Sequence, residues 1–184
     1  MTTTTAPVTA TVASALRRLY VVRFGFALIW AGVLFSTASS IGPVSAALLV
    51  IYPLFDVGAA IVDARSSRAS RSIGLHVNIA ISVIAAVGLV FAVTSGIPAV
   101  LRVWGVWAIV AGLVQLVVAL RRRTLGGQWA MIVSGAISTL AGISFFLQAS
   151  VPHASLSNVP GYALLGGIFF LVSALRLSRN GARY

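Results

Sequence analysis

The chain has 184 residues, of which 59% are hydrophobic and only 8% charged, with a formal net charge of +11 and a mean hydropathy of +1.05. Ordinary soluble domains are roughly 25% charged, and no aqueous core could hide this much apolar surface, so a water-soluble globular fold is excluded. All 13 basic residues are Arg, the only acids are Asp56 and Asp63, and Cys is absent, which removes disulfides, thiolate metal sites and cysteine nucleophiles.

Residues 1–16 form a Thr-rich leader without the basic region and apolar core of a cleaved signal, and are expected as a disordered cytoplasmic tail. Six apolar runs follow: Leu19 to Phe35, Ile41 to Val62, Ile73 to Val93, Ile97 to Leu120, Trp129 to Leu147 and Val159 to Leu177. Each approaches the roughly 20 helical residues that cross a hydrocarbon layer of about 30 Å. The runs are continuous instead of alternating, which favours helices over barrel strands, since a helix satisfies every backbone amide within its own segment. Pro53 is expected to kink the second span, whereas Pro43 and Pro98 sit near span starts, where a missing N–H is tolerated. Residues 17–178 thus read as one membrane domain with hairpins at about 19–64, 73–120 and 127–177, followed by a cytoplasmic tail at 179–184.

The hairpins repeat. Tyr52, Trp107 and Tyr162 fall 55 residues apart, as do Ala64, Ala119 and Ala174, and Gly112 and Gly167 keep the step. The first helix of each unit carries a G-x-x-F step, as Gly32 with Phe35, Gly88 with Phe91 and Gly142 with Phe145. Units of two spans enter the membrane in the same sense, so their relating axis lies along the membrane normal. The predicted fold is an all-α integral membrane protein with six transmembrane helices as three parallel-repeat helical hairpins. Gly32, Gly88, Gly142, Gly112 and Gly167 are expected at close helix contacts.

Orientation follows from the arginines. Arg17 and Arg18 precede the first span, Arg65, Arg68 and Arg71 join spans two and three, Arg121, Arg122 and Arg123 join four and five, and Arg176, Arg179 and Arg183 follow the sixth. The opposite turns, Ser36 to Ser40, Thr94 to Gly96 and Gln148 to Asn158, contain no Lys or Arg. The positive-inside rule then puts both termini in the cytoplasm. The same placement, in short segments between apolar runs, argues against a nucleic-acid face.

Polar residues inside the spans are the candidate functional positions. Arg23 and Asp56 lie at similar depths from the arginine-rich side on adjacent spans, and an isolated ion there costs roughly 2.5 to 3.5 kcal/mol, so an intramembrane ion pair is expected. The alternatives are Arg23 reaching to the headgroups and a proton or ion relay through Asp56. Asn78, Gln115, Gln128 and Ser134 form a candidate polar cluster in the same half, lining a shallow vestibule or making interhelical hydrogen bonds. Arg102 is the only charge in the other half, so no continuous polar pore is expected. His76 and His153 lack a third partner for a metal, and no H-E-x-x-H, G-x-S-x-G or Walker loop is present. Catalytic residues, metal and cofactor are accordingly expected to be absent.

Short Gly-rich hairpins, carried by AGVLF at Ala31 to Phe35, AGLVQLVVAL at Ala111 to Leu120 and LGGIFFLVSALRL at Leu165 to Leu177, resemble the HdeD-like acid-resistance membrane proteins. That family is built from a short repeat of unknown molecular function, and the likeness extends over nearly all of the chain after the leader. It implies a bacterial inner-membrane protein linked to acid or general stress, with no catalytic residues to transfer. The arginine-free face offers no carboxylate, leaving His153 as its titratable side chain. The expected partners are the lipid bilayer and, through self-association or complex formation, other membrane proteins. The alternatives are a small proton or solute transporter or channel using Asp56 and the polar cluster, and an accessory subunit of a membrane complex.

Overall fold

The computed structural model describes residues 6–66, 73–121 and 129–181. Among them are six helices and no strand: α1 (Ala6–Thr37), α2 (Pro43–Ser66), α3 (Ile73–Ser95), α4 (Ile97–Arg121), α5 (Trp129–Gln148) and α6 (Asn158–Gly181). The chain turns where the sequence cannot continue a helix. Gly96 has φ +96°, a left-handed conformation that caps α3, and Pro98 then occupies the first turn of α4. Pro43 opens α2, and the Gly42 N–H donates to Ser45 Oγ at 2.9 Å. Asn158 Nδ2 donates to Gln148 Oε1 at 2.7 Å, closing the longer turn between α5 and α6.

Among the described residues, five helices are long and apolar enough to cross a membrane, over Ser14–Thr37, Pro43–Asp63, Ile73–Ser95, Ile97–Val118 and Asn158–Arg176. The remaining helix, α5, has 20 residues, about 30 Å by helical rise, with an apolar stretch over Ile132–Gln148. Trp129 is 76% exposed at its arginine-rich end, as an interfacial anchor would be. The leader differs from its expectation. Residues 6–16, expected as disordered, belong to α1. Pro7 sits in the first turn, where it costs no hydrogen bond, and the stretch from Val8 to Leu16 holds no further helix breaker. Residues 1–5 and 182–184 lie outside the described residues, and α6 runs to Gly181 through half of the expected C-terminal tail.

Each helix packs against its chain neighbours, and α6 returns to α1. The seams are unequal, with α4 against α5 and α6 against α1 the most extensive and α5 against α6 the sparsest. Glycine explains the first. A Cβ at Gly105 would stand 2.7 Å from the Gly142 carbonyl oxygen, and one at Gly112 would stand 2.7 Å from that of Gly135. Two facing glycine pairs, seven residues apart on each helix, let the backbones touch. On the α6–α1 seam, Gly167 meets the Ala27 Cβ, with 3.0 Å available to an added Cβ. Gly88 meets Val103 at 3.3 Å. Gly32, expected at a close contact, has nothing within 4 Å and faces outward. Its place in the repeat does not make it a packing residue, because the neighbouring Ala31 and Leu34 carry the buried face of α1.

The bundle is apolar outside as well as inside. Ile29, Phe35, Ile84, Phe91, Leu140 and Leu147 are all more than 60% exposed, the surface a lipid solvent accepts and water does not. Trp30, Leu34, Leu49, Leu89, Leu101 and Trp104 are fully buried and, with Phe145, Leu156 and Val159, fill the half opposite the arginines.

Candidate functional site

The centre of the bundle is organised around Asp56. Arg23 on α1 donates through Nη2 to Asp56 Oδ1 on α2, as an ion pair whose side chains are 13% and 15% exposed. Asp56 Oδ2 accepts two more hydrogen bonds from α3, from Asn78 Nδ2 at 2.8 Å and Ser82 Oγ at 2.9 Å. Ser82 is fully buried, and its oxygen accepts the Trp107 indole N–H from α4 at 3.1 Å. One carboxylate therefore ties four helices together. Such a network lowers the cost of keeping a charge away from water, because each oxygen faces donors. Arg23 is further seated over the Phe170 ring of α6, with Cζ 4.3 Å from the centroid, a favourable position for a cation.

The position of each donor follows from helical spacing. Asn78 and Ser82 are four residues apart and share one face of α3, so both reach the same oxygen. Arg23, Phe26 and Trp30 likewise descend one face of α1, from the ion pair to the aromatic layer. That layer contains Phe26, Trp30, Tyr52, Trp104 and Trp107, with centroids 4.5 to 6.0 Å apart for Trp30–Tyr52, Phe26–Tyr52, Tyr52–Trp104, Tyr52–Trp107 and Trp104–Trp107. The Trp30 indole N–H donates to the Leu48 carbonyl at 2.7 Å, one residue before the Leu49 carbonyl that Pro53, within α2, cannot serve.

Between this layer and the arginine-rich end lies a cavity of about 320 Å³ lined by all six helices. Arg23, Asp56, Asn78, Gln115 and Ser134, all singled out from sequence, line it, and so does Asp63. Gln128 lies outside the described residues. The repeat positions converge there too, since Tyr52, Trp107 and Tyr162 face the cavity, as do Asp56, Ala111 and Gly166 at the same 55-residue step. Tyr162 also donates to Ser138 Oγ at 3.1 Å. His76 and Arg102 are exposed, and His153, exposed in the turn before α6, has φ 62°. No group of three metal-ligating side chains occurs among the described residues.

Sequence reasoning missed Ser82 as a partner of Asp56, and Gly105 and Gly135 as packing residues. The four-residue step from Asn78 to Ser82 is a signal that puts both on one face of a helix, but it does not name their partner. The seven-residue spacing common to Gly105/Gly112 and Gly135/Gly142 is the signal that marks the tight seam.

Comparison with known families finds that residues 77–147 match the family described as a short repeat of unknown function (DUF308). The match covers most of α3, all of α4 and nearly all of α5, and so includes Asn78, Ser82, Trp107, Gln115 and Ser134 but neither Arg23 nor Asp56. No curated protein and no solved structure matches the chain. The apolar helices mark a multi-pass membrane protein, of which residues 77–147 are similar to the DUF308 short repeat.

Proposed function

We propose that the chain is a non-enzymatic protein of a bacterial cytoplasmic membrane that acts as a membrane-embedded structural or interaction module of the acid and general stress-resistance type. Three like-oriented hairpins surround the cavity, and both termini lie in the cytoplasm. The carrying observation is that the polar cavity is one-ended: it reaches from the arginine-rich end to the aromatic layer, beyond which fully buried Leu34, Leu49, Leu89 and Leu101 fill the bundle. A conduction path needs polar or wet lining through both halves. The convergence of Tyr52, Trp107 and Tyr162 on the cavity supports the hairpin repeat, the arginine distribution supports the orientation, and the HdeD-like resemblance supports the stress role. Reconstitution tests this reading. Liposomes containing the protein should show no proton or solute flux above protein-free vesicles, and flux that Asp56→Asn abolishes would replace the module by a transporter. Deletion of the gene should lower survival in strong acid; unchanged survival would remove the stress role.

The transporter alternative draws on Asp56, the central acid of the cavity, but that carboxylate is already engaged by Arg23, Asn78 and Ser82. An accessory subunit is the remaining alternative, and a stoichiometric partner retained in mild detergent would favour it.

A further inference from the structure

The charged groups that line the cavity are already engaged. Arg23 pairs with Asp56, whose second oxygen takes Asn78 and Ser82, and Asp63 and Gln115 have interactions of their own. The bonding capacity left over belongs to neutral hydroxyls and ring faces. Among the described residues, the hydroxyls of Tyr52 on α2 and Ser134 on α5, both on the cavity wall, make no hydrogen bond. Ser138 Oγ, also on α5, accepts from Tyr162 at 3.1 Å and keeps its own hydrogen to donate. A donor held away from bulk water is costly to leave unmet, so these three positions favour a ligand that accepts hydrogen bonds. The same wall presents the rings of Phe55, Trp107, Tyr162 and Phe170 beside that of Tyr52, and rings pair favourably with a further ring in offset or edge-to-face contact. The volume of about 320 Å³ is at the low end for small-molecule sites, room for one substituted ring and not for a two-chain lipid.

The two α5 hydroxyls also mark where the cavity approaches the lipid. A slit of about 10 Å³ continues along the α5–α6 seam, sharing Ser134, Ser138, Tyr162, Gly166 and Phe169 with the main cavity and adding Ile137 and Leu165. Leu165 is 37% exposed and brings the slit to the apolar surface of the bundle. The slit admits no ring as it stands, so a ligand enters by parting α5 from α6, whose contact is the sparsest between chain neighbours. A seam with few contacts opens at the least cost. Gly161 and Gly166 have nothing within 4 Å of an added Cβ, so α6 leaves space there for a hydrocarbon tail. The seam thus sets the shape of the ligand, with a polar ring inside and one apolar tail running out between the helices.

We infer that the cavity holds the head of a single-tailed, lipid-soluble para-quinone, with one carbonyl oxygen accepting from the Tyr52 hydroxyl, the other from Ser134 or Ser138, and the tail leaving between α5 and α6. This rests on the bilayer placement proposed above and names a ligand class for the interaction module. The test uses the full chain in phosphatidylcholine nanodiscs, with empty discs subtracting simple partition into lipid. Decylubiquinone should bind saturably at one per chain. Decylbenzene, a ring and tail without acceptors, and monodecanoylglycerol, a tail and hydroxyls without a ring, should bind at least tenfold more weakly, and so should decanoate, which tests recognition of an anion by arginines. Tyr52→Phe and Ser134→Ala each remove a single hydroxyl and should weaken quinone binding about fivefold, with helical content unchanged by circular dichroism. Gly166→Leu and, independently, Ile137→Phe add bulk to the slit and should slow association at least tenfold, read by quinone quenching of tryptophan fluorescence. No saturable quinone binding, equal affinity for any of the three comparison probes, or an affinity untouched by both hydroxyl variants would overturn the site, and an association rate unchanged in both slit variants would overturn the lateral route. None of these results involves transmembrane flux, so loss of the ligand site leaves the module reading standing, whereas flux in the reconstitution experiment removes that reading by itself.

Discussion

Arg23 and Asp56 join α1 to α2 through a largely buried ion pair, and Asp56 extends the junction to α3. Breaking a buried pair by removing one partner leaves an uncompensated charge and costs about 3–5 kcal/mol, whereas removing both leaves none. Asp56→Ala should therefore lower thermal stability in detergent more than the Arg23→Ala/Asp56→Ala double variant. A double variant at least as unstable as Asp56→Ala would show that packing, not the charge, dominates at this position.

Ser82→Ala takes a donor from Asp56 and the acceptor from the Trp107 indole together. Interhelical hydrogen bonds in membranes average about 0.6 kcal/mol and reach about 1.7. The loss should lie toward the upper figure, since two partners are affected. Comparing it with Asn78→Ala, which removes one donor only, in matched unfolding experiments checks the difference.

Adjacent glycines on α6 should differ in their tolerance of a side chain. Gly166→Ala places a methyl in open space, while Gly167→Val drives bulk into Ala27 on α1. Overpacking of this kind costs about 1–3 kcal/mol. Gly112→Val should cost at least as much, because the obstacle there is the Gly135 backbone, and size-exclusion elution together with melting temperature reads both effects.

Among the described residues, the turns carry two left-handed residues of unequal fitness. Gly96→Ala should destabilise by about 1–2 kcal/mol, the penalty of a Cβ in that conformation. His153→Gly relieves the same penalty at φ 62° and should hold or raise the melting temperature.

Because the chain lacks cysteine, single-cysteine labelling of its turns needs no background removal. Ser157→Cys should react with an impermeant maleimide added outside intact cells, and Arg65→Cys should react only after lysis. The reverse pattern would invert the proposed orientation.

The spans were legible because lipid leaves the backbone few choices, and apolar runs of sufficient length identify themselves. The common depth of Arg23 and Asp56 was legible for the same reason, since one rise per residue converts sequence position into membrane level. What depth cannot give is azimuth. Whether Asn78 and Ser82 face Asp56 or the lipid depends on the rotation of α3, which packing against α2 and α4 settles. Gly32 illustrates the limit from the other side: its repeat position matches Gly88 and Gly142, yet its face of α1 meets no neighbour. The extension of α1 back to Ala6 escaped because a Thr-rich composition reads as polar leader, although threonine disfavours a helix only weakly.

The unequal seams also bear on how the molecule is assembled during synthesis. Its firmest contacts join α4 to α5 and α6 to α1, so a helix pair leaving the insertion machinery as 1–2 or 3–4 still waits for its best neighbour. Until α6 docks on α1, Arg23 lacks the Phe170 ring and the cavity lacks the wall that α6 supplies. A nascent chain halted after α5 should consequently be a preferred substrate for membrane proteases, and the same chain extended through α6 should escape them; equal turnover of the two in pulse-chase would show that ring closure does not govern maturation.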